Sequence, residues 1–220
     1  MSDTRDKRWT GTFERLPEEK QARILACAKK AFATSGYSGA NINRIAEEAG
    51  VSVGSLYKYF RTKEDLFLAL IEKSHSMIES TIDSVLSREP GFFERVGTLL
   101  RAAVETSRAD PESVRLYIAC TTEELAPLAD RLSNRIEAIS AERYRAMVAE
   151  AKRRGEIRGD LDDGWTAFFL DDLFLLTQFS VGSAYYAERL RLFVGGDEGE
   201  RGGPDELVDR LLSYIRRALA

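Results

Sequence analysis

The chain has 220 residues, 44% hydrophobic and 31% charged, with only five prolines. Its two cysteines and single histidine argue against a disulfide framework, a metal centre or histidine acid–base chemistry. Its net charge of −4 speaks against nucleic acid until the distribution is considered: residues 1–63 hold 12 Lys+Arg against 7 Asp+Glu, and residues 64–220 hold 20 against 29. A basic N-terminal module on an acidic body is the asymmetry expected when one end faces phosphates.

Residues 1–16 contain no apolar run of signal-peptide type and read as a flexible basic tail, either without function or touching DNA through Arg5, Lys7, Arg8 or Trp9. Pro17-Glu18-Glu19 opens a helix with the apolar stripe Ile24, Leu25, Ala28, Ala31 and Phe32, and Gly36 is placed as its left-handed C-terminal cap. Asn41 or Asn43 can cap the next helix, whose inner side is Ile42, Ile45, Ala46 and Ala49. Gly50 relieves a sharp turn, and Ser52 caps a third helix on which Leu56 and Phe60, four apart, face inward. Thr62 caps a connector helix running to about Ser87, and Pro90-Gly91 breaks the chain.

Further helices are expected over 92–108 and from Asp110-Pro111-Glu112. One or two more lie in 123–154, with Pro127 as a start or kink. After the loop GEIRGDLDDG, one long helix is expected from about Trp165 to Phe193 and a last one from Leu207 to Leu219. The period is helical throughout, so the chain is expected to be all-α.

The chemistry concentrates at residues 40–70. Two short helices around a glycine turn form a helix-turn-helix pattern, and the second carries hydroxyls, tyrosines and a lysine on its outer positions. Gly54 lets the backbone approach base edges, and Ser55 can donate or accept there with weak specificity. Tyr57, Tyr59 and Lys58 can reach phosphates, and Lys63 can do so from the start of the connector, where the helix dipole favours anions. Singly, such tyrosines more often pack on neighbours and such lysines are solvated; together, beside this turn, they favour DNA.

Residues 17–70 resemble the DNA-binding domain of TetR/AcrR-type transcriptional regulators, through ILACAKKAF, GYSGANINRIAEEAGVS and above all GSLYKYFRTKEDLF. The resemblance places Asn43, Arg44, Ser52, Val53, Gly54, Ser55, Tyr57, Tyr59 and Lys63 at or near DNA, with Tyr57 and Lys63 at the phosphate-contacting tyrosine and lysine. Asn41-Ile42 stands where many members have Thr-Thr or Thr-Val, and Val53 where many have Lys or Arg, so an operator does not transfer from relatives. The resemblance also implies a dimer built on the last two helices, two reading heads ~34–36 Å apart, and a roughly palindromic double-stranded operator.

The resemblance fades after Leu70. The segment around 165–193 is apolar nearly all round, so it needs cover on two sides, its own domain and a second subunit. Asp171 and Asp172 within it argue against a membrane span, and a cytoplasmic location follows most simply. The resemblance also implies an apolar cavity in this body for a small apolar or aromatic effector, for which the candidates are Leu116, Tyr117, Cys120, Thr121, Phe168, Phe169, Asp172, Leu176 and Phe179, each of which could equally be core or interface. No cofactor, metal site or catalytic constellation is expected.

The reading is therefore an N-terminal three-helix helix-turn-helix domain (17–63) and a C-terminal helical ligand-binding and dimerisation domain (64–220). Its function is that of a ligand-responsive repressor acting as a homodimer. The alternative is a ligand-independent activator or DNA-organising protein.

Overall fold

The computed structural model describes residues 8–88, 91–120, 122, 125–195 and 204–220, with the backbone alone at 126–136 and 204. The described residues form α1 (Gly11–Glu14), α2 (Glu18–Gly39), α3 (Ile42–Glu48), α4 (Val53–Tyr59), α5 (Lys63–Arg88), α6 (Phe92–Ala109), α7 (Pro111–Cys120), α8 (Ala126–Arg154), α9 (Asp163–Gly182), α10 (Ala184–Val194) and α11 (Pro204–Leu219). They contain no strand. The chain divides into two compact units: Met1–Ser76 with Arg115–Leu132, and Met77–Val114 with Ser133–Ala220.

In the first unit the expected stripes are buried, Ile24, Ala28 and Phe32 of α2, Ile45 and Ala46 of α3, and Leu56 of α4 with Phe60 just beyond it; Leu66 and Phe67 of α5 are buried as well. Fully burying such a side chain contributes ~1.5–3 kcal/mol, whereas a helix cap contributes ~1 kcal/mol, so packing rather than capping holds these helices. The caps set the ends. Asn41 accepts hydrogen bonds from Asn43 N (2.8 Å) and Arg44 N (3.4 Å), Ser52 from Ser55 N (3.1 Å), and Thr62 from Asp65 N (2.9 Å). At the end of α3, Gly50 N–H donates to Glu47 O and Val51 N–H to Ala46 O. This paired closure needs the left-handed conformation that Gly50 adopts, φ 65°. Gly36 (φ 69°) kinks α2 rather than ending it, because one more turn of helix follows to Gly39.

One correction concerns the N-terminus. Residues 8–16 are not a free tail: they include α1, and Phe13 is buried with its ring 4.8 Å from that of Phe60. An aromatic side chain removed from water on an existing apolar surface offsets the ordering of a short polar segment.

The core of the second unit joins Ile82 and Val85 of α5, Phe92, Val96 and Leu100 of α6, Tyr144 and Val148 of α8, Leu170 and Phe174 of α9, and Val208 and Ile215 of α11. Arg95 is buried on α6, and Glu150 of α8 meets its guanidinium at 2.7 Å, so the charge is not left unpaired. That bond holds the Glu150 carboxyl below the usual carboxylate range.

Two expectations for this unit change. The single helix over 165–193 is two, because the chain is extended at Ser183 (φ −127°, ψ 129°). Gly182 there packs so closely on α7 that a Cβ would lie 2.7 Å from Val114 Cβ, a contact an unbroken helix of larger residues would not allow. The apolar stripe of α11 is also used inside its own chain: Val208, Ile215 and Leu219 are buried in the core, and Leu212 reaches Gly97 of α6.

Two outcomes follow for this unit. Gly182→Ala should destabilise the protein by about 1–3 kcal/mol through overpacking against Val114, measured by urea unfolding; an unchanged midpoint would show that α7 yields freely. Asp171 is pushed up to about 6, chiefly by burial and then by Glu137 and Asp172. A carboxyl raised above its unfolded value binds protons more tightly in the folded state between ~pH 4 and its folded value, so stability falls as pH rises through that window. Asp171→Asn should flatten this fall and stabilise the protein at pH 8 by ~1–2 kcal/mol, a discount on the full shift because the side chain is partly exposed. Parallel pH profiles for the two proteins would show that Asp171 does not cause the fall.

Candidate nucleic-acid interface

α3 and α4 have seven residues each, too short to persist alone in water. Their inner sides bury Ile45, Ala46 and Leu56, and what remains outside is polar. Asn43 and Arg44 are exposed on α3, and Arg44 pairs with Glu48 at 2.9 Å, an open surface pair worth little. Ser52, Gly54 and Lys58 are exposed, Val53 and Ser55 half-buried, and Tyr57 is 48% exposed.

The N-terminal end of α4 is orderly and open. The Ser52 and Ser55 hydroxyls lie 2.8 Å apart, so Ser55, already in contact with the cap, can exchange that bond for one to an incoming acceptor. Around Gly54 no heavy atom would lie within 4 Å of an added Cβ. The surface there is open, as an approaching backbone or base edge requires.

Lys63 is held rather than loose. Its Nζ donates to Ser38 O (3.1 Å) and lies 5.0 Å from the centroid of the Tyr37 ring. Tyr37 in turn packs on Phe32 and Phe67. Tyr37 and Ser38 thus fix the direction of the lysine, a role the sequence reading missed although both lie in the GYSG segment.

Tyr59 departs from expectation. It is 6% exposed, with its ring 6.0 Å from that of Phe13, because α1 covers the side of α4 that the sequence leaves outward. The outward set at the end of α4 is Tyr57 and Lys58. Arg23 of α2 is a second residue missed: its Nε donates to Ala49 O (3.0 Å) and closes the end of α3.

The body candidates differ in burial. Leu116 and Phe179 are buried, Tyr117, Cys120 and Asp172 half-buried, and Thr121 lies outside the described residues. Burial pushes the Cys120 thiol up to about 12, so it stays protonated. Phe168, Phe169 and Leu176 are exposed on the outer side of α9, with Trp165 beside Phe168. No group of three or more His, Cys, Asp or Glu able to hold a metal lies among the described residues. Nor is any of their helices long and apolar enough to cross a membrane.

The family model of bacterial regulatory proteins, tetR family, matches residues 24–70, the segment just described. The HTH-type transcriptional repressor SCO4008 of Streptomyces coelicolor is 31% identical over 209 residues, which cover 92% of this chain and 96% of that protein. A TetR family transcriptional regulator from Chloroflexus aurantiacus superposes with a TM-score of 0.64 at 25% identity, covering 96% of this chain and 98% of its own. The regulator FadR from Bacillus subtilis, solved in complex with stearoyl-CoA, shares the fold with a TM-score of 0.68 at 18% identity over 88% of this chain and 96% of its own. The capped pair α3–α4 and a likeness that runs nearly end to end make this chain a member of the tetR family of bacterial regulatory proteins, a DNA-binding transcriptional regulator and not an enzyme.

Proposed function

We propose that the protein is a repressor that binds a roughly palindromic double-stranded operator as a homodimer and releases it when a small, largely apolar or aromatic effector binds. The observation that carries the DNA reading is the two-sided character of α4. Leu56, Tyr59 and Phe60 fasten one side, while Gly54, Ser55, Tyr57 and Lys58 stand on the other, and none of the described residues lies over Gly54. In this reading Asn43, Arg44, Ser52, Val53, Gly54 and Ser55 approach base edges, and Tyr57, Lys58 and Lys63 hold phosphates.

The dimer reading rests on α9 and α10. The outer side of α9 exposes Trp165, Phe168, Phe169 and Leu176, and α10 exposes Tyr185, Leu192 and Phe193 with no buried residue of its own. Apolar faces of this extent mark an interaction surface. Phe168, Phe169 and Leu176, expected to face an effector, fit this mating face better, and α9 and α10 together span the segment expected to meet a second subunit. Two copies of α4 brought one DNA turn apart would then read a two-fold site.

The effector reading is supported by the repressor name of a relative that matches nearly the whole chain and by the acyl-CoA held by a regulator of the same fold. Such an effector acts only as far as it binds one conformer more tightly than the other. In this reading the protein acts in the cytoplasm, where its operator would be.

Gly54→Ala separates folding from DNA binding. With open space at the new methyl, and alanine favoured over glycine in a helix, it should stabilise the protein by about 0.5–1 kcal/mol. On the DNA it should weaken operator binding by putting a methyl where the backbone must come close. Thermal unfolding and fluorescence anisotropy read the two effects, and unchanged anisotropy would remove Gly54 from the interface. Phe168→Glu, on the α9 face, should convert the dimer to a monomer in sedimentation equilibrium at micromolar concentration while leaving the helix content intact. A dimer of undiminished stability would exclude that face.

A further inference from the structure

The last turn of α4 has no helix beyond it: Phe60 is extended (φ −129°, ψ 117°), so the carbonyls of Lys58 and Tyr59 lose their ordinary helical partners. Both are taken by one residue from the N-terminus. Thr10 N–H donates to Tyr59 O (3.0 Å), and Thr10 Oγ1 donates to Lys58 O (2.7 Å). Three residues on, Phe13 is 3% exposed and covers Tyr59 and Phe60.

The segment carrying these two residues is itself tied down at both ends. Before it, Arg8 Nε meets Glu72 Oε1 of α5 at 3.2 Å, with both side chains largely shielded from water. After it, Gln21 Nε2 of α2 donates to Leu16 O at 2.8 Å. Residues 8–16 therefore bridge α5, α4 and α2 at four points.

We propose that residues 8–16 are a clasp that sets the angle of α4, with Thr10 and Phe13 as positioning residues for sequence-specific recognition. The proposal rests on the reading of α4 as the helix that meets the bases. Ser52 and Leu56 secure the first half of α4, and the clasp secures the second, where Tyr57 and Lys58 project. Base-edge hydrogen bonds tolerate little displacement, whereas flexible side chains still find phosphates when a helix tilts. Loosening the clasp therefore costs specific binding more than non-specific binding. The outlying aromatic pair Trp9 and Phe13, four apart in a polar stretch, is its mark in the sequence.

The test uses the full-length protein, a duplex selected by it from a random pool, and a scrambled duplex, with anisotropy measured over a range of salt. Phe13→Ala should weaken binding to the selected duplex by about tenfold or more, the value of a base contact, with little change on the scrambled duplex and an unchanged salt slope. Thr10→Val, which keeps shape and backbone donor but loses the hydroxyl, should weaken it less, and Thr10→Ser should restore it. Lys63→Ala is the contrast: as a phosphate contact it lowers binding on both duplexes and reduces the slope by about 0.9.

An equal loss on both duplexes, a reduced slope for Phe13→Ala, or unchanged binding in both clasp variants overturns the proposal. If Phe13→Ala does not fold, the Thr10→Val and Thr10→Ser pair decides. Should Gly54→Ala and Lys63→Ala also leave binding untouched, the assignment of α4 falls and the clasp with it. Should those two weaken binding while the clasp variants do not, only the clasp falls.

Discussion

A seven-residue helix is not stable in water, and this protein places its candidate reading surface on two of them. Everything around α3 and α4 can be understood as the means of holding them. Their inner side chains are buried, side chains cap their starts, and donors from distant positions, Arg23 and Thr10, close their ends. Because packing contributes more than the caps, the polar outer residues are free to be chosen for something other than stability. Gly54, which weakens a helix and has none of the described residues above it, is the plainest instance.

The same division of labour runs through the second unit. The inner side of α9, with Leu170 and Phe174, belongs to a core that also takes in α6, α8 and α11, while its outer side keeps Trp165 and Phe168 in water. Exposed Trp165, Phe168, Phe169 and Leu176 on a helix whose other side is buried are unfavourable for an isolated chain. The polar groups obey the complementary rule: Arg95 is buried with Glu150 against it, and Asp171, pushed up by burial and then by neighbours of its own sign, holds its proton to higher pH.

Much of the first unit was legible before any coordinates. Asn41, Ser52 and Thr62 act as caps and Gly50 takes the left-handed turn, because each depends on neighbours within four or five residues, and Leu56 and Phe60, four apart, share the buried side that their spacing predicts. Local spacing and side-chain chemistry suffice for such features. Tyr59 was not legible, since one face of a seven-residue helix looks solvent-exposed until a segment some 50 residues earlier lies on it. Gly182 and Ser183 were read as part of one long helix for a similar reason: the close packing of Gly182 on Val114 joins positions far apart in the chain.

The sequence by itself determined the helical class, the helix-turn-helix with its caps, and the family, because these are written in short-range periodicity and in motifs at characteristic spacing. Tertiary structure alone decided which apolar surfaces were already occupied. It gave the stripe of α11 to its own core, left the outer side of α9 uncovered, and turned a polar N-terminus into a strap across α4. Hydrophobic burial has no direction and no sequence range, so the partner of an apolar face becomes known only once the whole chain has been placed.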